Sequence, residues 1–292
     1  MSQKFLETSF NRAKLIGDFE SGSAEWHDLR SQGVGGSQVG TILGLNPWES
    51  AFTAWAKATG RIPETREVNM AMRLGSVMEE PIRQIWEEDN PQYEVFTTGT
   101  WKYSVPSREW CHANPDGLLR NRETGEWEIL EIKTARIPFT EVPPHYRAQV
   151  LWYCKIFGIH KAKLVALFGG NDMQTFDIEY DAFEAESNVM AVARWRACVE
   201  EDKRPDWDGS ANTYETVRYL NPEIEDREED LGDLGMHLQL QNDKVAEETK
   251  TLNELKSRTL DAMGNAKYGK TDGVLVAVRQ QRGLGSPYLV IK

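Results

Sequence analysis

Residues 111–135, CHANPDGLLRNRETGEWEILEIKTA, decide how the chain reads. Residues 117–119 and 127–132 are strand-forming, and residues 121–125 between them are rich in turn formers, which makes the stretch a β-hairpin. Strand side chains alternate between faces, so Glu131 and Lys133 share one face while Leu130 and Ile132 point into an apolar layer on the other. Asp116, directly after Pro115, enters the first strand near the end where the second strand leaves, and antiparallel pairing sets it beside Glu131. Two carboxylates in one small space suit a hard divalent cation such as Mg²⁺, with the backbone carbonyl of Ile132 as a further oxygen ligand. Lys133 is then placed to orient or deprotonate a water. Alone, Pro-Asp-Gly is an ordinary turn and Glu-x-Lys an ordinary solvated ion pair; the two motifs across one hairpin point to metal-dependent chemistry.

A chain of 292 residues can bury one large core, or a core with an appendage, and the second reading is favoured here. The net charge of −12 argues against a generally basic nucleic-acid binder, so any DNA contact has to use a local basic groove. Cys111, Cys154 and Cys198 are scattered without a CxxC pair, which indicates neither a disulfide framework nor a zinc site and fits a reducing compartment. No apolar run is long enough to span a bilayer, and residues 1–15 lack a signal-peptide core.

Residues 23–60 read as three short helices broken by Gly-rich and Asn-Pro turns, the third closed by Gly60. Ser37, after Gly35 and Gly36, is placed as the N-cap of a helix over 38–43. A helix start attracts anions and Arg30 could supply a bidentate phosphate partner, although an ordinary cap and a surface arginine explain the same residues. Trp26, Trp48, Phe52 and Trp55 are expected in the core. Residues 70–89 form an amphipathic helix with Leu74, Val77, Met78, Ile82, Ile85 and Trp86 on a buried face, kinked or restarted at Pro81. Glu79 and Glu80 at its edge are solvated by default; alternatively Glu79 leans across to the hairpin as a third carboxylate. After Pro143 and Pro144 comes a helix ending at Gly158, on which Gln149 and Tyr153 share a face, either in a core helix or as a pair holding a water or scissile phosphate. Strands over 161–168 and 173–180 and a helix over 183–199 complete a mixed α/β core. Residues 205–210 mark a boundary, giving a core over 1–205 and an extension over 206–292. That extension contains an acidic connector, a polar helix over 237–263 and a terminal β-ribbon with Arg279 and Arg282 near its tip.

Pro115-Asp116 followed by Glu131-Ile132-Lys133 resembles the PD-(D/E)xK nuclease signature. With Arg30 and Ser37 in LRSQGVGGS, Glu79 in GSVMEEP, and Gln149 and Tyr153 in AQVLWY, the order of motifs over about residues 26–180 resembles the lambda-exonuclease-like, YqaJ-type viral recombinase family of phage nucleases. The resemblance implies a restriction-endonuclease-like mixed-sheet core flanked by helices, with a C-terminal helical and β-ribbon appendage. It implies a 5′-to-3′ exonuclease on the ends of linear double-stranded DNA, dependent on Mg²⁺ or Mn²⁺, and hence exposure of 3′ single strands. It further implies a single-strand annealing protein as partner in phage recombination, a homo-oligomeric ring, and action in the cytoplasm of a bacterial host. Arg30 and Ser37 would hold the 5′ phosphate, Asp116 and Glu131 the metal, with Glu79 completing or supporting the site, and Lys133 and Gln149 the nucleophilic water. A PD-(D/E)xK endonuclease and a DNA-end-binding protein without turnover are the competing readings.

Overall fold

The structure, a computed structural model, describes residue 6 and residues 10–19, 23–63 and 69–292. Residues 1–5 and 7–9 of the stretch read for a signal-peptide core lie outside these. The chain forms two compact units, Met1–Glu223 and Ile224–Lys292. The division thus falls after Glu223 rather than at 205/206.

The first unit runs β1 (Ala13–Gly17), α1 (Ala24–Gln32), β2 (Val34–Gly35), α2 (Gly36–Ile42), α3 (Ala51–Ala58), α4 (Met70–Asp89), β3 (Tyr93–Phe96), β4 (Thr100–Tyr103), β5 (Cys111–Ala113), β6 (Gly117–Asn121), β7 (Trp127–Ala135), α5 (Pro144–Phe157), β8 (Lys161–Phe168), β9 (Asp172–Glu179), α6 (Ala182–Glu200) and α7 (Ala211–Leu220). The central sheet has the order β3-β6-β7-β8-β9. Only β7 and β8 are parallel, and α5 is the crossover between them. The β6–β7 hairpin has Gly117 opposite Leu130 and Leu118 opposite Ile129. Its turn is set by the Asn121 carboxamide oxygen, which accepts the N–H groups of Glu123 and Thr124, and by Gly125 at φ +72°.

The predicted alternation of β7 is what the sheet uses. Leu130 and Ile132 join Leu119, Val165, Ile82 and Trp86 in a core on one face. Ile129 joins Leu118, Leu164 and the buried side of α5 on the other. Helix α4 covers the first face and is continuous through Pro81, with no restart there. Its buried side is shorter than the periodicity suggests: Ile82 and Trp86 are buried, while Leu74, Val77 and Ile85 are exposed. Truncating Trp86, which also donates its indole N–H to Thr175 Oγ1 at 3.0 Å, would cost ~3–5 kcal/mol.

A second, four-stranded sheet, β1-β4-β5-β2, was not legible beforehand, because β2 and β5 are two and three residues long. Val34 pairs with Cys111 and Gly35 with His112, and this fixes where α2 begins. Helix α7 belongs to the first unit: Thr213 Oγ1 bonds Ser50 Oγ (2.8 Å) and Thr216 Oγ1 lies 2.8 Å from Thr53 Oγ1. Phe52 and Trp55 are core as expected. Trp48 is not; it is 69% exposed.

The second unit holds α8 (Asp233–Met263) and an antiparallel sheet β10 (Tyr268–Thr271), β11 (Val274–Gln280), β12 (Tyr288–Ile291). The ribbon therefore has a third strand. Arg279 sits within β11 opposite Leu289, while Arg282 lies in the loop to β12. No residue of α8 is buried. Among the described residues no helix is long and apolar enough to cross a membrane.

His112 on β5 is 7% exposed, and desolvation, helped by Arg196 and Lys102, lowers its pKa from 6.5 to about 4. Its neutral form is favoured by folding, so its contribution is present above the unfolded pKa and is lost as the pH falls toward 4. Urea unfolding at stepped pH between 7 and 4.5 should show a loss of up to about 3 kcal/mol from this group. His112→Gln should show a smaller loss across the same window; an identical pH profile would refute the assignment.

Candidate active site

The site is built on β7 and completed by three other segments. Glu131 is 1% exposed, on the face of β7 that looks toward α5. A buried carboxylate needs donors, and Glu131 Oε1 has two: Lys133 Nζ at 2.5 Å and Gln149 Nε2 at 2.6 Å. Glu131 Oε2 is buried without a hydrogen-bond partner. Asp116 stands beside this pair, its Oδ2 accepting the Ile132 N–H at 2.6 Å, a bond that ties the start of β6 to the middle of β7.

Glu79 approaches from α4. Desolvation, with the Asp116 charge adding and Lys133 opposing, raises its pKa to about 7. Burial and the Asp116 charge likewise push Glu131 up to about 8, and burial raises Asp116 despite Lys133, the Ile132 N–H and Arg83. Three carboxylates thus repel one another across a partly dry space. Burial works against the Lys133 charge, but Glu131 and Asp116 outweigh it and raise its pKa, so the side chain is an ammonium that donates to Glu131. Glu80 has a different setting, in an ion pair with Arg83 and accepting from Gln84 Nε2 at 2.5 Å. Of the two adjacent acids, Glu79 is the one coupled to the hairpin.

Gln149 and Tyr153 are both buried, which discards the picture of a tyrosine reaching outward. The amide nitrogen of Gln149 gives its two hydrogens to Glu131 and to Tyr153 Oη (3.1 Å). Burial, with the Glu131 charge, holds the Tyr153 phenol well above its ordinary pKa. Arg30 is close enough to oppose that shift, and its guanidinium stacks 4.5 Å from the Trp26 ring. Ser37 is exposed and is the second residue of α2, not its N-cap; Gly35 takes that place, and its N–H donates to Gln38 Oε1 at 3.1 Å. The helix starts earlier than predicted because β2 pairs with β5 up to Gly35.

Three neighbours were missed in the sequence. Arg83, buried and one turn beyond Glu79, adds positive charge beside Asp116; its spacing on α4 was the available signal. Tyr146 lies under Lys133, with Nζ 5.3 Å from the ring, and His145 is 4.1 Å from Tyr146. Nothing in the local pattern of α5 marks these two.

Among the described residues, no three His, Cys, Asp or Glu side chains are gathered tightly enough to enclose a metal ion by themselves. The donor set nonetheless fits Mg²⁺, which takes one or two carboxylates and fills its octahedron with water and substrate oxygen. The unpartnered Glu131 Oε2 beside Asp116 is the opening such an ion would use, with Glu79 within the same cluster.

Close approach of α2 to α5 underlies this geometry. A Cβ at Gly36 would meet Tyr153 Cζ at 2.7 Å. Gly36→Ala should therefore displace Tyr153, loosen Gln149 from Glu131 and cost ~1–3 kcal/mol, checked by denaturant unfolding; a variant as stable as the parent would show that the ring yields freely.

Residues 25–160 match the model of the YqaJ-like viral recombinase domain. The chain is 29% identical over 232 residues to the uncharacterized protein YqaJ of Bacillus subtilis strain 168, covering 74% of this chain and 69% of that protein. Solved structures similar to it include an alkaline exonuclease of Laribacter hongkongensis, with 22% identity, a TM-score of 0.47, and 61% and 95% of the two chains covered. A putative exonuclease of Eubacterium rectale matches with 11% identity, a TM-score of 0.48, and 75% and 98% covered. Arg30, Glu79, Asp116, Glu131, Lys133 and Gln149 all fall within the matched segment, so over that stretch the chain is similar to the YqaJ-like viral recombinase domain.

Proposed function

We propose that the protein is a metal-dependent nuclease that degrades linear double-stranded DNA. The observation that carries this reading is the assembly of Asp116, Glu131 and Lys133 on one hairpin, with Glu131 Oε1 clamped and Oε2 left open. Asp116 and Glu131 hold a divalent cation with the Ile132 carbonyl, and Glu79 completes or supports the set from α4. Bound Mg²⁺ or Mn²⁺ would offset phosphate charge and acidify a coordinated water. Lys133, kept as an ammonium by its carboxylate neighbours, orients a water and balances negative charge on the phosphate. Gln149 is a positioning residue on this reading: both its amide hydrogens are engaged, so it acts by fixing the rotamer of Glu131, with Tyr153 bracing it in turn.

Arg30 and Ser37 form the pocket for a 5′ phosphate. Arg30 reaches the site through its electrostatic contact with Tyr153, and Ser37 is exposed at the start of α2. A 5′-to-3′ exonuclease that leaves 3′ strands for an annealing protein, works as a homo-oligomeric ring on DNA ends and acts in the cytoplasm of a bacterial host follows from the family resemblance. The unit Met1–Glu223 carries this activity and Ile224–Lys292 extends it.

The test is digestion of linear duplexes with 5′-phosphate or 5′-hydroxyl ends, labelled separately at each terminus, in the presence and absence of Mg²⁺. Closed circles are the control. Mononucleotide release from 5′-phosphorylated ends alone is expected, with Arg30→Ala narrowing the difference between the two ends. Asp116→Asn and Lys133→Ala should each lower the rate by at least about a hundredfold. Glu79→Gln should slow hydrolysis, whereas Glu80→Gln should stay within about twofold of the parent, its partners being Arg83 and Gln84. Cutting of closed circles would make it an endonuclease, and full activity in Lys133→Ala would remove the site assignment.

A further inference from the structure

The loop between α2 and α3 presents a tryptophan to solvent beside the proposed centre. Trp48 is 69% exposed, with Leu45 on the same loop 40% exposed. This exposure is built in. The loop is closed by N–H donation from Leu45 and Asn46 to the Gly40 carbonyl (2.9 and 3.1 Å). Asn46 spans it from within, its Nδ2 donating to Thr41 Oγ1 at 2.8 Å and its Oδ1 accepting the Trp48 N–H at 2.9 Å. Asn212 Nδ2 from α7 holds the neighbouring Pro47 carbonyl at 3.4 Å. Five such restraints present an indole to water when the adjacent Phe52 and Trp55 are fully packed, so the loop serves the indole rather than the core.

The position of Trp48 relative to Lys133 gives it a use. Its indole meets the His145 ring edge to face, with centroids 5.6 Å apart and planes at 86°. The His145 ring lies 4.1 Å from Tyr146, and Tyr146 lies 5.3 Å from Lys133 Nζ. Gly40 allows this contact, since a Cβ there would strike His145 Cβ at 2.7 Å and push the first turn of α5 away from α2. A continuous aromatic path therefore joins the loop to the reacting end of the hairpin. Its length corresponds to about five stacked nucleotides at most.

An exposed, rigidly mounted indole suits the face of a nucleobase, which offers a flat π-surface in every sequence. We infer that Trp48 stacks on an unpaired or end-frayed base of the DNA strand whose phosphate lies at Asp116, Glu131 and Lys133, and so holds that strand in register with the site. The inference rests on the nuclease reading and adds to it a base contact outside the metal and phosphate groups.

The test uses the full chain, in buffers with Ca²⁺ and with EDTA in place of Mg²⁺. Its probes are 5′-phosphorylated duplexes with short single-stranded ends, in which one abasic site is stepped along the strand. Affinity is read by fluorescence anisotropy. Trp48→Ala is expected to bind intact DNA roughly 5- to 100-fold more weakly, and Trp48→Phe to recover most of that loss. One abasic position should weaken the parent by a similar factor and leave Trp48→Ala unaffected. Equal affinity of parent and Trp48→Ala overturns the inference and leaves the nuclease reading standing. A loss in Trp48→Ala that is the same at every abasic position also overturns it, because the contact is then not to a base. Failure of the parent to bind any DNA in either buffer overturns both.

Discussion

An ionised carboxylate cannot be sealed inside a protein without partners, and Glu131 is sealed. The arrangement around it follows from meeting that requirement only halfway. One oxygen is given two donors, Lys133 and Gln149, while the other is given none. A structure selected for stability alone would have satisfied both oxygens or replaced the group with an apolar one. Burial raises the pKa of all three acids, and the Asp116 charge pushes Glu131 and Glu79 up further, so the cluster favours the entry of positive charge.

The supporting parts are drawn from distant stretches of chain, each held by a different kind of interaction. Hydrogen bonding of Asp116 to the Ile132 N–H locks the hairpin internally. Hydrophobic burial of Ile82 and Trp86 against Leu130 and Ile132 docks α4 and delivers Glu79. Helix α5 contributes by near-complete burial, from Ala148 through Phe157 with the exception of Lys155, and this leaves Gln149 and Tyr153 no solvent alternative to each other and to Glu131. Contact between α2 and α5 depends on two glycines, Gly36 beside Tyr153 and Gly40 beside His145. These positions admit no side chain, and through them the loop bearing Trp48 stays in register with the far end of the site.

What the residues themselves determined is short-range. Alternation along residues 127–132, turn chemistry at Asn121–Gly125 and the Pro-Pro and Gly punctuation around α5 fixed the hairpin, the crossover helix and the facing of Glu131 with Lys133. Such patterns are local consequences of strand and helix periodicity, so they can be read without knowing neighbours. Tertiary packing decided the rest. It brought Glu79 within reach of the Asp116 and Lys133 charges and paired Glu80 with Arg83, because rotation of α4 is set by where Ile82 and Trp86 find the sheet. It moved the start of α2 ahead of Ser37, because a two-residue strand pairs with β5. It left Leu74 and Val77 exposed on a helix whose periodicity promised burial, and Trp48 exposed where a tryptophan is usually core. In each case the outcome turns on what lies across from the residue, and that contact is made only once segments far apart in the chain are brought together.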